Sequence, residues 1–337
     1  MSIARRVQLT GRSTYIISIP KEWARSLGIT RGSKVFIDLL PDNSLRIRAE
    51  PKLADIKLIK IIDLRRDQSI ATAIREFIAA YIAGYDTFKI YYDESSIGAL
   101  RDFRKFIESR AANIIVSEEA SSSLTYKIVG APRPMSVVDA LSWLYRLVNM
   151  MFAEVIKGIR SRNLEVLSSV IERDNVVDKA FLVVVRNLSS TMVGAGTIDS
   201  LGLKSQAEAL HYYRAFKTIE RIGDHIALIA SRVSKLLESN TIIRDDLVEV
   251  LEESMNYFSD IAKSLIKIDI DTSRRVALDI EQFRLKIREL GRIYTDIEYH
   301  DIIMSLSRIL DYTIDLAETA FDIVSIRGVS ETIYSAY

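Results

Sequence analysis

Proline is confined to the first part of this chain, and that distribution is what most constrains its fold. All five prolines of the 337 residues lie at or before Pro134, so no proline interrupts the stretch from Ser136 to Tyr337. Along this stretch apolar residues recur at spacings of three and four, which is typical of amphipathic helices. The pattern predicts a bundle of six helices. We place them at residues 137–161, 163–189, 203–238, 243–268, 271–294 and 297–326.

Two smaller parts precede the predicted bundle. Residues 54–134 alternate strand-like and helix-like segments, which predicts a small α/β module without a glycine-rich phosphate loop. Residues 1–53 contain short strand-like segments around one short helix. So few residues barely enclose a core, and we therefore expect this part to pair with a second copy. The predicted fold is multidomain: a β-rich domain at 1–53, an α/β module at 54–134 and an all-α bundle at 135–337.

Charge is distributed unevenly between these parts. Residues 1–53 hold ten Lys and Arg against four Asp and Glu, a net charge of +6, although the whole chain carries only +1. Such a basic domain favours a polyanionic partner such as DNA, because Lys and Arg neutralise phosphates. The alternative is a solvated basic face on a dimerisation module.

The basic segment RRVQLTGRSTYIISIPKEWARSLGITRGSKVFIDLLPDNSLRIR resembles the AbrB/SpoVT swapped-hairpin DNA-binding domain. The matching features are a first strand, Gly11, Ile19 and Pro20 before a short amphipathic helix, the LGI and RGSKV motifs within Leu27–Val35, and a closing hairpin. The resemblance implies an intertwined homodimer that binds DNA. The contacts that it implies are Arg5, Arg6, Arg12, Lys21, Arg25 and Arg31.

Several classes of protein are excluded or disfavoured. The chain has no cysteine, which excludes disulfides, thiolate metal sites and a cysteine nucleophile and fits either a reducing cytoplasm or a heat-adapted source. The start MSIARRVQLT lacks the apolar core of a signal peptide, and no apolar run approaches the roughly 20 residues that span a bilayer. We therefore expect a soluble, cytoplasmic protein without a transmembrane segment.

Paired carboxylates recur in two of the predicted helices. Glu220 and Asp224 lie one turn apart in TIERIGDHIALI, and a shift of 91 residues places Asp311 and Asp315 at the same positions. Acidic side chains one turn apart repel each other. A cation shared with a neighbouring helix would compensate for this repulsion. The alternative is exposed or ion-paired carboxylates, with nearby basic partners in Arg214, Lys217 and Arg221.

The shift marks an internal duplication, with three-helix repeats at about 136–240 and 241–330. The repeated Glu/Asp-x-x-x-Asp signature, clearest in ERIGDH, and the RDNVVD segment of the preceding helix resemble the PhoU family. The resemblance implies a six-helix phosphate-signalling regulator with metal clusters on the bundle surface. In the second repeat Leu285 stands where a further carboxylate is expected. The candidate metal ligands are Glu220, Asp224, Asp174, Asp178, Asp311, Asp315 and Glu281.

Together the two resemblances imply an archaeal-type, phosphate-responsive transcriptional regulator of phosphate uptake. It would bind DNA through its N-terminal domain and sense or relay the state of a phosphate transporter through a metal-binding bundle. The expected cofactor is a divalent or trivalent metal ion: Fe, Zn, Mn or Mg. The expected partners are DNA, a second copy and the ATPase component of a phosphate ABC transporter, which would place some of the protein peripherally at the inner membrane face.

Two other functions are weighed against this one. The first is a peripheral transporter regulator that dimerises through its N-terminal domain without binding DNA. The second is a di-iron oxidase, whose signature is Glu-x-x-His on two helices. Glu208 and His211 offer one copy, but the shift of 91 residues leads to Tyr299 and Ile302. The second copy is missing, so we expect no enzyme and no catalytic residue.

Overall fold

The chain divides into two compact units in the computed structural model, which describes residues 3–39, 44–49, 58–65, 69–130, 135–195, 198–294 and 296–335. The first unit comprises Met1–Ile56 with Ile333–Tyr337, and the second comprises Lys57–Thr332. The predicted domain boundaries, after residues 53 and 134, fall outside the described residues and stay predictions.

The N-terminal unit consists of two antiparallel hairpins and one short helix. Gly11, at a φ of +67°, forms the first turn, where a left-handed backbone favours glycine. The elements are β1 (Gln8–Thr10) paired with β2 (Thr14–Ile16), α1 (Lys21–Ser26), and β3 (Val35–Leu39) paired with β4 (Leu45–Ala49).

The described residues of this unit enclose no interior in one copy. None of its described residues up to Ala49 is buried. Large apolar side chains face outward instead: Tyr15, Ile37 and Leu39 expose 74%, 61% and 72% of their surface. Exposed apolar patches on small units are typical of interaction surfaces.

The α/β module is a four-stranded sheet with two helices. Strand order is β5-β6-β8-β7, in which β5 and β6 run parallel and the other neighbours antiparallel. Its core is aromatic, because the fully buried Phe77 ring lies 4.6 Å from that of Phe88 and 5.8 Å from that of Phe103. The elements are β5 (Ile59–Asp63), α2 (Ile70–Ile82), β6 (Thr87–Tyr91), α3 (Ile97–Arg110), β7 (Ile114–Ala120) and β8 (Ser123–Ile128).

The predicted six-helix bundle is confirmed. Most helix ends lie within two residues of the prediction, and two differ by more. The third helix begins at Glu208 and not at 203, because Leu203 satisfies the apolar period but is buried in the connection before the helix. The last helix continues beyond 326 to Ser335. No helix in the described part combines the length and the apolar run that crossing a bilayer requires. The helices are α4 (Val137–Ser161), α5 (Leu164–Ser190), α6 (Glu208–Glu238), α7 (Asp245–Lys267), α8 (Ile270–Ile293) and α9 (Ile297–Ser335).

The two repeats share the same turn between their first and second helices. Arg162 ends α4 at a φ of 50°, and the Asn163 side chain then caps α5 by accepting a hydrogen bond from the backbone N–H of Val166, three residues on. Ile268 ends α7 at a φ of 57°, and Asp269 caps α8 in the same way. These matching turns fix which residues of α5 and α8 are equivalent.

The module docks on the first repeat, where α2 and α3 pack against α5. Arg186 of α5 is central to this contact, with its side chain only 12% exposed. Its guanidinium donates to the carbonyl oxygens of Tyr81, Tyr85 and Gly84 and to Asp86 Oδ1, the last at 3.0 Å. The Tyr81 carbonyl lies in the last turn of α2 and those of Gly84 and Tyr85 lie in the turn that follows it, so a residue of the bundle caps the C-terminal end of a helix of the module.

We expect Arg186→Ala to lower the free energy of unfolding by about 2 to 3 kcal/mol, because it leaves several partly buried acceptors without a charged donor. Denaturant titration of the full chain measures this. Arg146→Ala, at an exposed position on α4, is the control and should change stability by at most about 0.5 kcal/mol. Equal effects of the two substitutions would contradict a docking role for Arg186.

Candidate metal centre

Three carboxylates from adjacent helices converge between α5 and α6. Asp178, Glu220 and Asp224 each offer an oxygen, and these atoms lie within 4.8 Å of one another. Gly223 is part of the reason, because a Cβ at this position would lie 3.3 Å from Val177 Cγ1 of α5. The absence of a side chain there lets the acidic face of α6 approach α5 closely. We call this set, with the neighbouring Asp174, the acidic cluster.

Burial makes the charges of the acidic cluster costly. Asp178 and Glu220 expose only 6% and 7% of their surface, whereas Asp224 lies at the solvent edge. Burial raises the pKa of Asp178 to about 6. Although part of the Asp224 side chain reaches solvent, desolvation by the surrounding residues, followed by the charges of Glu220, Asp174 and Asp178, raises its pKa to about 7. The pKa of Asp174 is also raised, mainly by burial. All three shifts show that the cluster favours a proton or another cation.

Two basic side chains already neutralise part of this charge. Lys217 Nζ lies 2.5 and 2.6 Å from the two Glu220 oxygens. Arg110, at the end of α3 in the module, forms an ion pair with Asp178, and its Nε donates to Asn175 Oδ1 at 3.2 Å. Four carboxylates and two cations leave a net charge of −2 when all are ionised.

The arrangement suits a divalent cation. Carboxylate oxygens are ligands that hard and borderline metal ions prefer, and a doubly charged ion would balance the remaining charge. Asp174 Oδ1 is buried and has no hydrogen-bond partner among the described residues. The residues present therefore fit a metal ion, with Arg110 and Lys217 as the cations against which it would compete.

The second predicted set of ligands is arranged differently. Asp311 pairs with Arg284 of α8, which also bonds Glu281 at 2.9 Å. Asp315 lies 3.2 Å from Arg214, which also bonds Glu318 and Asp322. Within the described residues, Asp311, Asp315 and Glu281 do not join in an acidic group like that of the first repeat. Here the ion pairs weighed as the alternative are what the structure contains.

The matching turns explain this difference. Aligning Asn163 with Asp269 makes Arg284, and not Leu285, the equivalent of Asp178. The same alignment pairs Asp174 with the buried Ile280. The sequence comparison was therefore wrong by one residue on α8. A guanidinium stands where the first repeat has a carboxylate, and it pairs with Asp311 as an internal cation.

The predicted DNA contacts are all on the surface of the N-terminal unit. All six side chains are exposed, and none forms an ion pair with any described residue. They are Arg5, Arg6, Arg12, Lys21, Arg25 and Arg31.

The residues that suggested a di-iron site have structural partners. Glu208 is fully buried and lies 3.0 Å from Arg327 Nη2. His211 Nδ1 lies 3.2 Å from Asp322 Oδ2. Both contacts join α6 to α9. Arg110 is the site residue that sequence reasoning missed, since no periodicity or motif connects it with α5.

The sequence matches two family models. Residues 8–55 match the model described as antidote-toxin recognition MazE, bacterial antitoxin, and residues 141–233 match the PhoU domain. No curated protein matches the chain. The chain therefore carries a MazE/AbrB-like domain at its N-terminus and a PhoU domain in its bundle, and neither model is that of an enzyme family.

Two solved structures are similar to part of this chain. The phosphate transport system regulatory protein PhoU from Streptococcus pneumoniae is 18% identical, with 56% of this chain and 92% of that chain covered and a TM-score of 0.47. PhoU from Pseudomonas aeruginosa is 16% identical, with 56% and 95% covered and a TM-score of 0.47.

Replacing Asp224 by asparagine should flatten the pH dependence of stability. Its pKa is raised from 3.8 to about 7 in the fold. The folded chain thus binds more protons than the unfolded chain from about pH 4 to about pH 7, and the free energy of unfolding falls as pH rises through that window. In the Asp224→Asn variant this fall should be smaller.

Denaturant titration at about pH 5 and about pH 8, with a chelator present, measures the effect. Asp260→Asn, which removes an exposed carboxylate of α7, is the control and should keep the wild-type pH dependence. If Asp224→Asn behaves like this control, the acidic cluster does not destabilise the fold.

Proposed function

We propose that the chain is a phosphate-responsive transcriptional regulator of phosphate uptake. Its N-terminal domain would bind DNA as a homodimer, and its bundle would sense or relay the state of a phosphate transporter. One observation carries the proposal: the N-terminal unit, with no buried residue among those described, presents six exposed basic side chains that lack ion-pair partners in the described chain. The function is regulatory, with no catalytic residue, and the protein would work in the cytoplasm.

Dimerisation supports DNA binding in two ways. A second copy would cover the exposed apolar residues of the N-terminal unit, such as Ile37 and Leu39. It would also double the number of guanidinium groups on one particle, which strengthens attraction to phosphates. Arginine can in addition reach guanine edges, so some of the six side chains would read sequence while others bind the backbone.

The acidic cluster is the proposed metal site. Asp178, Glu220 and Asp224 would hold the ion, and Asp174 would take part from the next turn of α5. A bound Fe, Zn, Mn or Mg ion would supply positive charge and would join α5 to α6. We propose no second site of this kind at Asp311, Asp315 and Glu281, because arginines already neutralise these carboxylates.

Arg110 links the acidic cluster to the α/β module. Its ion pair with Asp178 joins the module to the bundle as long as no other cation neutralises Asp178. Another cation at Asp178 would weaken that pair and so change how firmly α3 is docked. Binding at the cluster would then alter DNA affinity by the free energy that couples the two sites.

The PhoU-domain match favours one further candidate function. In it, the chain is a peripheral regulator of a phosphate transporter, bound to the ATPase component at the inner membrane face. The N-terminal domain would then only dimerise. A measurement of DNA binding distinguishes the transcriptional regulator, which binds DNA, from the peripheral regulator, which does not.

Loss of one carboxylate should weaken metal binding, and loss of the competing arginine should strengthen it. We expect Glu220→Gln to lower the affinity for Mn²⁺ at least about tenfold, since even the outer partners of metal ligands have effects of that size. Arg110→Gln should raise the affinity. Calorimetric titration measures both, and Asp311→Asn is the matched control that should bind like the wild type. Equal affinities in all four proteins would rule out the site.

Binding of the full chain to its own upstream DNA should depend steeply on salt. Removing one contact between a basic side chain and a phosphate lowers the slope of log affinity against log salt by about 0.9. The Arg5→Ala/Arg12→Ala variant should therefore bind more weakly and with a shallower slope, measured by fluorescence anisotropy. Arg146→Ala on the bundle is the control. Absence of wild-type binding even at low salt would favour the peripheral regulator.

A further inference from the structure

Seven exposed residues form a continuous stripe along α8. They recur at alternating spacings of four and three, which keeps them on one face of a helix. Leu278 and Leu285, near the middle, expose 62% and 60% of their surface. We call this set the α8 stripe. Its members are Asp271, Arg275, Leu278, Gln282, Leu285, Glu289 and Arg292.

The centre of the α8 stripe is complementary to itself. When two α8 helices lie antiparallel with their Gln282 side chains together, Leu278 of one copy meets Leu285 of the other. The same contact occurs twice, once on each side of the twofold axis, as a symmetric interface requires. Leu278 and Leu285 of both copies would become buried. The two Gln282 side-chain amides can form hydrogen bonds with each other, because each has a donor and an acceptor.

The charges on either side of this centre select the same arrangement. Going outward, Arg275 of one copy meets Glu289 of the other, and Asp271 meets Arg292. A parallel arrangement would instead place like charges together at every charged position of the stripe. Asp271 also has Arg274 of its own chain at 3.0 Å, and both side chains are exposed. The order of charges therefore fits a second copy in antiparallel orientation.

The internal duplication supports a docking role for this face. On α5, Lys179 donates to the backbone carbonyl of Glu108 in the module at 3.4 Å, and Arg186 donates to the carbonyl of Tyr85 just after α2. The matching turns make Leu285 and Arg292 the equivalents of these two residues. The face that carries the α/β module in the first repeat thus carries exposed leucine in the second.

We propose that the α8 stripe binds the α8 stripe of a second copy in antiparallel orientation. A single pair of helices is smaller than a typical stable interface of about 1,600 Å². It would therefore form between chains already joined by the proposed N-terminal dimer, at an effective concentration on the order of millimolar. Only this tether rests on the proposed function; the complementarity of the stripe does not.

Disulfide trapping tests the pairing directly, because the chain has no cysteine of its own. Full-length Gln282→Cys should form a disulfide-linked dimer under mild oxidation, since the two side chains meet at the axis. Met304→Cys is the control, as Met304 exposes 51% of its surface on α9 outside the stripe. The control should remain largely uncrosslinked under the same conditions.

Charge reversal tests the register. Adding Arg275→Glu to Gln282→Cys should abolish the crosslink. The new carboxylate would lie opposite Glu289 of the other copy on both sides of the twofold axis, and the two negative charges would repel each other. Adding Glu289→Arg as well should restore the crosslink, which neither misfolding nor random collision would do. Failure of this restoration would overturn the proposed pairing.

Light scattering on the same proteins separates this proposal from that of the N-terminal dimer. A chain that is dimeric in solution, but whose Gln282→Cys variant does not crosslink, overturns the α8 pairing alone. A monomeric chain that does not crosslink overturns both. A chain that crosslinks at Gln282→Cys and no longer does so with Arg275→Glu supports the pairing, whatever its N-terminal unit does.

Discussion

Repulsion among four carboxylates between α5 and α6 is the constraint on which the middle of this molecule depends. Close packing at Gly223 brings Asp178, Glu220 and Asp224 together, and burial makes their charges costly. Two basic side chains compensate for this repulsion: Lys217 of α6 pairs with Glu220, and Arg110 of the module pairs with Asp178. Because one of these cations comes from outside the bundle, the charge balance of the bundle depends on the module being docked.

The main outline of the structure is predictable from sequence because it follows from local rules. Apolar spacing located the six helices, and alternation of strand and helix patterns located the module. The carboxylate pair of α6 was visible because helical geometry puts residues four apart on one face. The contact with Asp178 also followed, through the resemblance to a known family, although the spacing alone left its partner open.

What could not be predicted depends on three-dimensional contact or on exact register. Arg110 lies far from Asp178 in sequence and on another layer, and no periodic pattern marks it. The equivalence of Arg284 with Asp178 was missed because the two repeats differ in connection length, so one shift does not align all helices. The one-residue error assigns Leu285 instead of Arg284 as the equivalent of Asp178. As a result, the cationic partner of Asp311 could not be identified from the sequence.

The N-terminal unit has a further consequence for how such a protein behaves in a cell. Its described residues enclose no core, so one copy alone gains little free energy from folding. In the proposed homodimer, folding of this part would be tied to encounter with another chain, and the folded fraction would grow with the number of chains per cell. The basic surface would then be assembled only above a threshold of abundance, so the level at which the chain is synthesised would itself be an input to whatever that surface controls.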